Sequence, residues 1–179
     1  MKILCINGQG GVGKDTFVYF CGDECDGIFN LSMIDGIKSL ARLTGCWDGK
    51  KNPKDRKFLS DLKDLFDNYC DYSFKHVLAG MEYNINRYNR SETEKKEIIC
   101  FVHSREPDDL KRWRDDHGAR AVLIRRPTIE GDYGNHADDQ VFDYDYDYII
   151  YNNDNLHQLE TKAKSFIEQI RKEEWESYI

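Results

Sequence analysis

Residues 8–14, which are Gly-Gln-Gly-Gly-Val-Gly-Lys, restrict what this chain can fold into more than any other part of the sequence. The four glycines of this run permit backbone conformations that other residues avoid. The run has the spacing GxxxxGK. The apolar residues 2–7 precede it, and a segment with helical spacing of apolar residues follows it. The sequence therefore predicts a strand, a tight loop and a helix in direct succession.

This loop is predicted to bind the phosphates of ATP. Backbone N–H groups in such a loop point inward, and the first turn of the next helix adds the positive end of its dipole. Lys14 adds an ammonium group for the β- and γ-phosphates. The alternative is a glycine-rich turn beside an unrelated lysine, and the flanking strand and helix argue against it. The residues predicted to bind ATP are Gly8, Gly10, Gly11, Val12, Gly13, Lys14, Asp15 and Thr16.

The residue after Lys14 departs from the usual form of such loops. Asp15 stands where a serine or threonine normally binds Mg²⁺, and Thr16 follows it. A carboxylate binds Mg²⁺ directly or through water, so Asp15 is one candidate ligand. The hydroxyl group of Thr16 is the other, and the sequence does not decide between them.

Five apolar segments alternate with helical patterns along the rest of the chain. The segments predicted as strands are residues 2–7, 28–34, 97–104, 121–124 and 147–151. Strands separated by helices form parallel sheets with helices on both faces. The predicted fold is therefore α/β, a P-loop NTPase-like three-layer sandwich with a mostly parallel five-stranded sheet and a lid segment.

Residues 1–179 are predicted to form a single domain. Within it, a long block of apolar residues at three- and four-residue steps predicts helices that break near Asp71. This block belongs to a helical segment at about residues 46–95, which is expected to lie on the side of the site where a second substrate, the acceptor of the phosphoryl group, binds. A polar, aspartate-rich stretch predicts a lid-like insertion at about residues 126–146, in which Asn135 and His136 are further candidates to contact ATP.

Residues 142–148 alternate aromatic and acidic side chains, which is the period of a strand. A solvated strand edge is the favoured interpretation of Asp143, Asp145 and Asp147, and metal binding is the alternative. Near the carboxyl end, Trp175 is expected either to pack back on the domain or to mark a contact in a homodimer.

Composition limits the partners. The formal net charge of −7 repels nucleic-acid backbones and anionic membranes, so neither is expected as a partner. No run reaches the roughly 18 apolar residues that span a bilayer, and no secretory leader is expected. The six cysteines are scattered, which favours a reduced, cytoplasmic protein.

The motif Gly-Lys-Asp-Thr at residues 13–16 resembles the loop of phage-type deoxynucleoside monophosphate kinases. Residues 32–38, 101–107 and 122–126 are similar to that family's second, third and fourth strands with their following turns. The resemblance implies ATP-dependent phosphoryl transfer to a nucleoside or deoxynucleoside monophosphate, with Mg²⁺ and a mobile lid that supplies arginines. The third strand ends in His103, where the family pattern tends to place an aspartate.

Three arginines follow predicted strand ends, where ligands of parallel sheets bind. Arg105 is predicted to clamp the acceptor phosphate, and Arg125 and Arg126 to stabilise the transition state. The alternative is surface pairing with carboxylates, such as Arg105 with Asp108 or Asp109.

Further candidates for the acceptor site lie on the second and third helices. They are Asp35, Lys38, Arg42 and Arg56. The N-cap of the following helix is an equally good role for Asp35, and a solvated helix face is the alternative for Lys38 and Arg42.

The predicted partner is thus a small nucleotide acceptor. Two alternatives stay open: a P-loop kinase for another small metabolite, and a P-loop nucleotide-binding ATPase that is not a kinase.

Overall fold

A sheet of five parallel strands forms the centre of this computed structural model, which describes residues 1–23, 27–50, 52–91, 97–129 and 140–179. The strands are β1 (Lys2–Asn7), β2 (Ile28–Ser32), β3 (Ile99–His103), β4 (Arg120–Arg125) and β5 (Tyr148–Tyr151). Their order is β2-β3-β1-β4-β5, and every neighbouring pair is parallel. The predicted α/β sandwich is confirmed, and the sheet predicted to be mostly parallel is parallel throughout.

Helices connect the strands and cover both faces of the sheet. They are α1 (Lys14–Asp23), α2 (Asp35–Leu43), α3 (Pro53–Cys70), α4 (Tyr72–Ser91), α5 (Pro107–His117) and α6 (Leu156–Lys172), with a short 3-10 helix at Gln140–Phe142. The predicted break in the long helical block is confirmed at Asp71, whose φ of 57° is left-handed. The side chain of Asp71 then pairs with Arg112 on α5.

Strand β1 is buried on both faces, and its side chains divide the core into two layers. Leu4 and Ile6 pack with apolar residues of α1 and α6. Ile3 and Cys5, which point to the opposite face, pack with α4 and α5. A third apolar cluster joins α2 to α3 around Ile37. Burial on both faces explains why β1 and β3 are continuously apolar.

The first three strands of the sheet end at the same level. His103 is in register with Ile6 of β1 and with Ser32 of β2. The N–H of Met33 donates to the carbonyl oxygen of His103 over 3.1 Å. The loop after β1, the start of α2 and the segment after β3 therefore meet at one edge of the sheet.

The alternative interpretation of Asp35, as the N-cap of α2, is wrong. Ile34 holds the N-cap position, and Asp35 is the first helical residue. Strand β2 ends at Ser32, and the side chain of Met33 in the turn that follows is buried in the core. Ile34 therefore precedes the first helical residue. The carboxylate of Asp35 instead accepts from the ammonium of Lys38 over 3.2 Å.

The predicted strand through residues 142–147 is also wrong, because β5 begins only at Tyr148. The rings of Tyr144 and Tyr146 meet edge to face and pack against the core instead. Asp147 accepts from the backbone of Ala121 and from Arg114, each over 2.7 Å. These tertiary contacts hold the segment in an irregular conformation, so its alternating aromatic and acidic residues do not form a strand.

The position of Trp175 agrees with one of the two expectations for it. Trp175 packs back on the core, with the guanidinium of Arg120 4.7 Å from its ring centre. In the described parts of the chain, no three histidine, cysteine or carboxylate side chains are grouped to hold a metal. No described helix is both long and apolar enough to cross a bilayer. Residues 130–139 of the predicted lid, which include Asn135 and His136, lie outside the described residues.

A largely buried lysine joins α3 to α5. The ammonium of Lys63 lies 3.1 Å from Asp67, 3.4 Å from Glu106 and 3.5 Å from Asp109. Burial raises the pKa of Asp109 to about 6; Lys63 opposes this shift, and Glu106 adds to it. This cluster fixes α3 beside the segment that follows β3.

Asp109→Asn should flatten the pH dependence of stability. The folded pKa lies above the unfolded value of about 4, so native Asp109 retains a proton as the pH rises and stability falls through pH 6. Relative to wild type, the free energy of unfolding of the variant should increase by on the order of 1–3 kcal/mol between pH 4.5 and 7.5. Urea unfolding at the two pH values measures this, with Asp115→Asn on the exposed face of α5 as the control. Parallel pH curves for wild type and Asp109→Asn would contradict the burial of this carboxylate.

Candidate functional site

The glycine loop is anchored at its start by Asn7, the last residue of β1. The side-chain oxygen of Asn7 accepts from the N–H of Gly8 over 2.7 Å. Its side-chain nitrogen donates to the carbonyl of Arg105 over 3.0 Å and to the hydroxyl of Tyr146 over 2.8 Å. Asn7 thus ties the loop to the segment that follows β3.

Two loop glycines hold backbone conformations that only glycine adopts easily in these surroundings. Gly8 has a φ of +143° and Gly13 a φ of +98°. A Cβ atom on Gly8 would collide with the carbonyl oxygen of Ile124, and one on Gly13 would lie 2.7 Å from the side-chain nitrogen of Asn152. The loop therefore passes so close to β4 and to the end of β5 that a side chain does not fit.

Asn152 anchors the loop from the other side. Its N–H donates to the carbonyl of Arg125 over 2.7 Å, which continues the pairing of β4 and β5. Its side chain donates to the carbonyl of Val12 over 2.8 Å. Asn7 and Asn152 were not among the predicted site residues, although both stand at strand ends, which is the only signal that the sequence offers.

Lys14 begins α1 and folds back over the loop. Its ammonium donates to the carbonyl oxygens of Gly8 and Gln9, the latter over 2.9 Å. The side chain is buried beneath the loop's own backbone. The ammonium group of Lys14 therefore lies against the backbone of the glycine loop.

Asp15 and His103 face each other beside the loop. The Asp15 side chain is 92% exposed, and one of its oxygens lies 3.7 Å from Nε2 of His103. Burial lowers the pKa of His103 to about 4, against the attraction of Asp15, so the ring is neutral at pH 7. Thr16 occupies the same first turn of α1 and is partly buried.

Several predicted residues converge around this histidine. The charges of Lys14, Asp35 and Arg105 act on the pKa of His103 together with that of Asp15. The end of β3 is therefore the point where the loop, the start of α2 and the predicted acceptor clamp come within electrostatic reach of one another.

Arg56 reaches the loop from the first turn of α3. One of its terminal nitrogens lies 3.7 Å from the point that a Cβ on Gly10 would occupy. Asn52 caps this helix by accepting from the N–H of Asp55 over 2.9 Å, and Pro53 begins it. The cap therefore directs Arg56, one of the predicted acceptor residues, toward the glycine loop.

Arg125 and Arg126 end β4 on the other side of the loop. The guanidinium of Arg125 lies 4.8 Å from the ring centre of Phe142 and 5.9 Å from that of Tyr151. The carbonyl of Arg126 accepts from the N–H of Ile129 over 3.0 Å, and the Ile129 side chain approaches Gly11. The turn at residues 126–129 thus passes beside the loop.

Arg42 is the predicted site residue with the clearest structural role. Its guanidinium lies 4.7 Å from the ring centre of Trp47, over the connection between α2 and α3. Lys38, one turn before it, forms its ion pair with Asp35. Arg42 is exposed, as the solvated-face interpretation expects, and its aromatic contact packs it over the connection between α2 and α3.

No protein-family model and no curated protein matches this chain. Among solved structures, it is similar to the crystal structure of TT1252 from Thermus thermophilus, at 15% sequence identity and a TM-score of 0.41. The match covers 94% of this chain and 97% of that one. A likeness this distant carries no argument about function.

Gly13→Ala should destabilise the protein by about 1–3 kcal/mol, because the position needs a left-handed backbone and leaves no space beside Asn152. The matched control is Gly22→Ala in α1, where no atom lies within 4 Å of the new methyl group. That change should instead stabilise by roughly 0.5–1 kcal/mol. Chemical unfolding of both variants tests the loop geometry; equal effects of the two substitutions would refute it.

Proposed function

We propose that this protein transfers the γ-phosphoryl group of ATP to a small acceptor that bears a phosphate, most simply a nucleoside or deoxynucleoside monophosphate. The observation that carries the proposal is the Lys14 ammonium held within a glycine loop, between β1 and α1. Such a loop gathers phosphate oxygens through backbone N–H groups, a helix dipole and one lysine. The topology alone supports no particular chemistry.

The loop's own contacts indicate how ATP would enter. Lys14 now donates to backbone carbonyls of Gly8 and Gln9. Phosphate oxygens are stronger acceptors because they are charged. The ammonium would therefore leave the carbonyls for the β- and γ-phosphates, while Asn7 and Asn152 hold the loop in place.

Mg²⁺ fits the residues beside the loop. Asp15 presents an exposed carboxylate and Thr16 a hydroxyl in the first turn of α1, and both are oxygen ligands of the kind that Mg²⁺ prefers. When bound, the ion would neutralise charge on the β- and γ-phosphates. The neutral ring of His103 adds no repulsion to a cation there.

The acceptor would lie between the loop and the helices α2 and α3. Arg105 is proposed to hold its phosphate, with Arg56 and Lys38 as further cations on that side. An acceptor phosphate oxygen would attack the γ-phosphorus as the bond to the β,γ-bridging oxygen breaks and ADP leaves. Fixed cations that surround this charge supply most of the catalysis in phosphoryl transfer.

Lys14→Ala should abolish phosphoryl transfer while the protein stays folded, because no other loop side chain supplies a cation at that point. The assay measures ADP formation from ATP and Mg²⁺ with a panel of nucleoside monophosphates and other phosphorylated metabolites. Lys57→Ala, which removes an exposed lysine of α3, is the control. Wild-type rates in Lys14→Ala would refute the phosphate-loop assignment. Phosphorylation of a different metabolite would instead indicate a kinase for that metabolite. Hydrolysis of ATP with no acceptor would indicate an ATPase that is not a kinase.

Arg105→Ala should raise the KM for the acceptor far more than the KM for ATP, since the arginine is proposed to contact only the acceptor phosphate. Loss of one charged hydrogen-bonding group corresponds to about a tenfold or greater effect. Arg87→Ala, on the exposed face of α4, should change neither constant. Steady-state kinetics with each substrate varied in turn provide the measurement, and equal increases in both constants would exclude the clamp.

A further inference from the structure

The pair formed by Asp15 and His103 is the feature that the proposed function does not explain. In P-loop enzymes a serine or threonine of the loop and an aspartate on a neighbouring strand hold the metal ion of the nucleotide. Here the loop position carries a carboxylate, and the neighbouring strand β3 ends in an imidazole. Replacing an oxygen ligand by nitrogen changes which metal ions a site prefers.

We propose that Asp15 and His103 together bind the divalent cation of the bound nucleotide, and that the imidazole makes this site prefer a first-row transition ion such as Mn²⁺ over Mg²⁺. This inference rests on the proposed nucleotide site. His103 is thereby assigned as the residue that determines metal specificity.

The separation of the two groups suits a shared ion. Two ligands that each lie about 2.1 Å from one ion are between about 3.0 and 4.2 Å apart, from a right angle to a straight line. Nε2 of His103 and the nearer oxygen of Asp15 are 3.7 Å apart. This is too long for a hydrogen bond, and among the described residues Nε2 has no hydrogen-bond partner although it is excluded from solvent.

A buried ring nitrogen without a partner is uncommon, because an unmet polar atom costs free energy. A metal ion between Nε2 and the carboxylate would satisfy both groups. The carboxylate is free to adjust, since the side chain of Asp15 is almost fully exposed. The ring, in contrast, is held at the end of a central strand, so it fixes where the ion binds.

The site is incomplete without the nucleotide. No third carboxylate, histidine or cysteine completes a metal cluster in the part of the chain that the structure describes. The nearby charges of Lys14 and Arg105 also oppose a cation. Phosphate oxygens would supply the missing ligands and offset both positive charges, so the ion should bind together with the nucleotide and only weakly without it.

Mn²⁺ itself is the probe for a direct test. With a non-hydrolysable ATP analogue bound, pulsed electron paramagnetic resonance should detect a ¹⁴N nucleus coupled to Mn²⁺ in wild type. His103→Asp should abolish that coupling. It should also lower the ratio of Mn²⁺ to Mg²⁺ affinity, measured by calorimetry, by about tenfold or more, because even the loss of a residue that only supports a metal ligand weakens metal binding by that much. His157→Asp, an exposed histidine of α6, is the control and should retain both properties.

Asp15→Asn provides a second variant whose folding is not in doubt, because its side chain is exposed. It should weaken Mn²⁺ binding while leaving metal-free binding of the analogue in EDTA unchanged or stronger. Absence of ¹⁴N coupling in wild type, or coupling that persists in His103→Asp, would overturn the inference while the nucleotide site stands. Failure to bind the analogue even with metal present would overturn the proposed function as well.

Discussion

The ammonium of Lys14, folded onto the carbonyl oxygens of Gly8 and Gln9, is the interaction on which the candidate site depends. It places a cation inside a loop whose glycines at positions 8 and 13 leave no room for side chains. Two asparagines hold this loop by hydrogen bonds, Asn7 at the end of β1 and Asn152 at the end of β5. The loop is therefore held in place by the ends of two strands of the sheet.

Local charge at this edge of the sheet is opposite to that of the whole molecule. The chain carries a net charge of −7, yet Lys14, Arg56 and Arg105 all approach the loop or the end of β3. Interactions between exposed charges fade within about 10 Å in salt solution. Among the described residues, these three cations outnumber the carboxylates of Asp15 and Asp35 at the same edge, and the more distant acidic surface has little influence there.

Local rules explain which parts of the structure could be predicted from the sequence. Pro107 and Gly118 bound α5 in agreement with local rules, because proline starts helices and glycine ends them in a left-handed conformation. Residues 142–147 were mispredicted because their conformation depends on Arg114 and Ala121, which are distant in sequence. In the site, glycine spacing identified the loop. No spacing pattern marks the two anchoring asparagines or the approach of Asp15 to His103. These residues come together only because separate strands end side by side.

Titration of ¹⁵N-labelled protein with ATP and Mg²⁺, followed by NMR of the backbone amides, measures whether the glycine loop binds phosphate. We expect saturable shifts that are largest for the amides of residues 10–16, because these N–H groups would donate to phosphate oxygens. The Lys14→Ala variant should show them only at much higher ATP concentration. An unchanged spectrum at saturating ATP, or shifts confined to residues away from the loop, would contradict phosphate binding by the glycine loop.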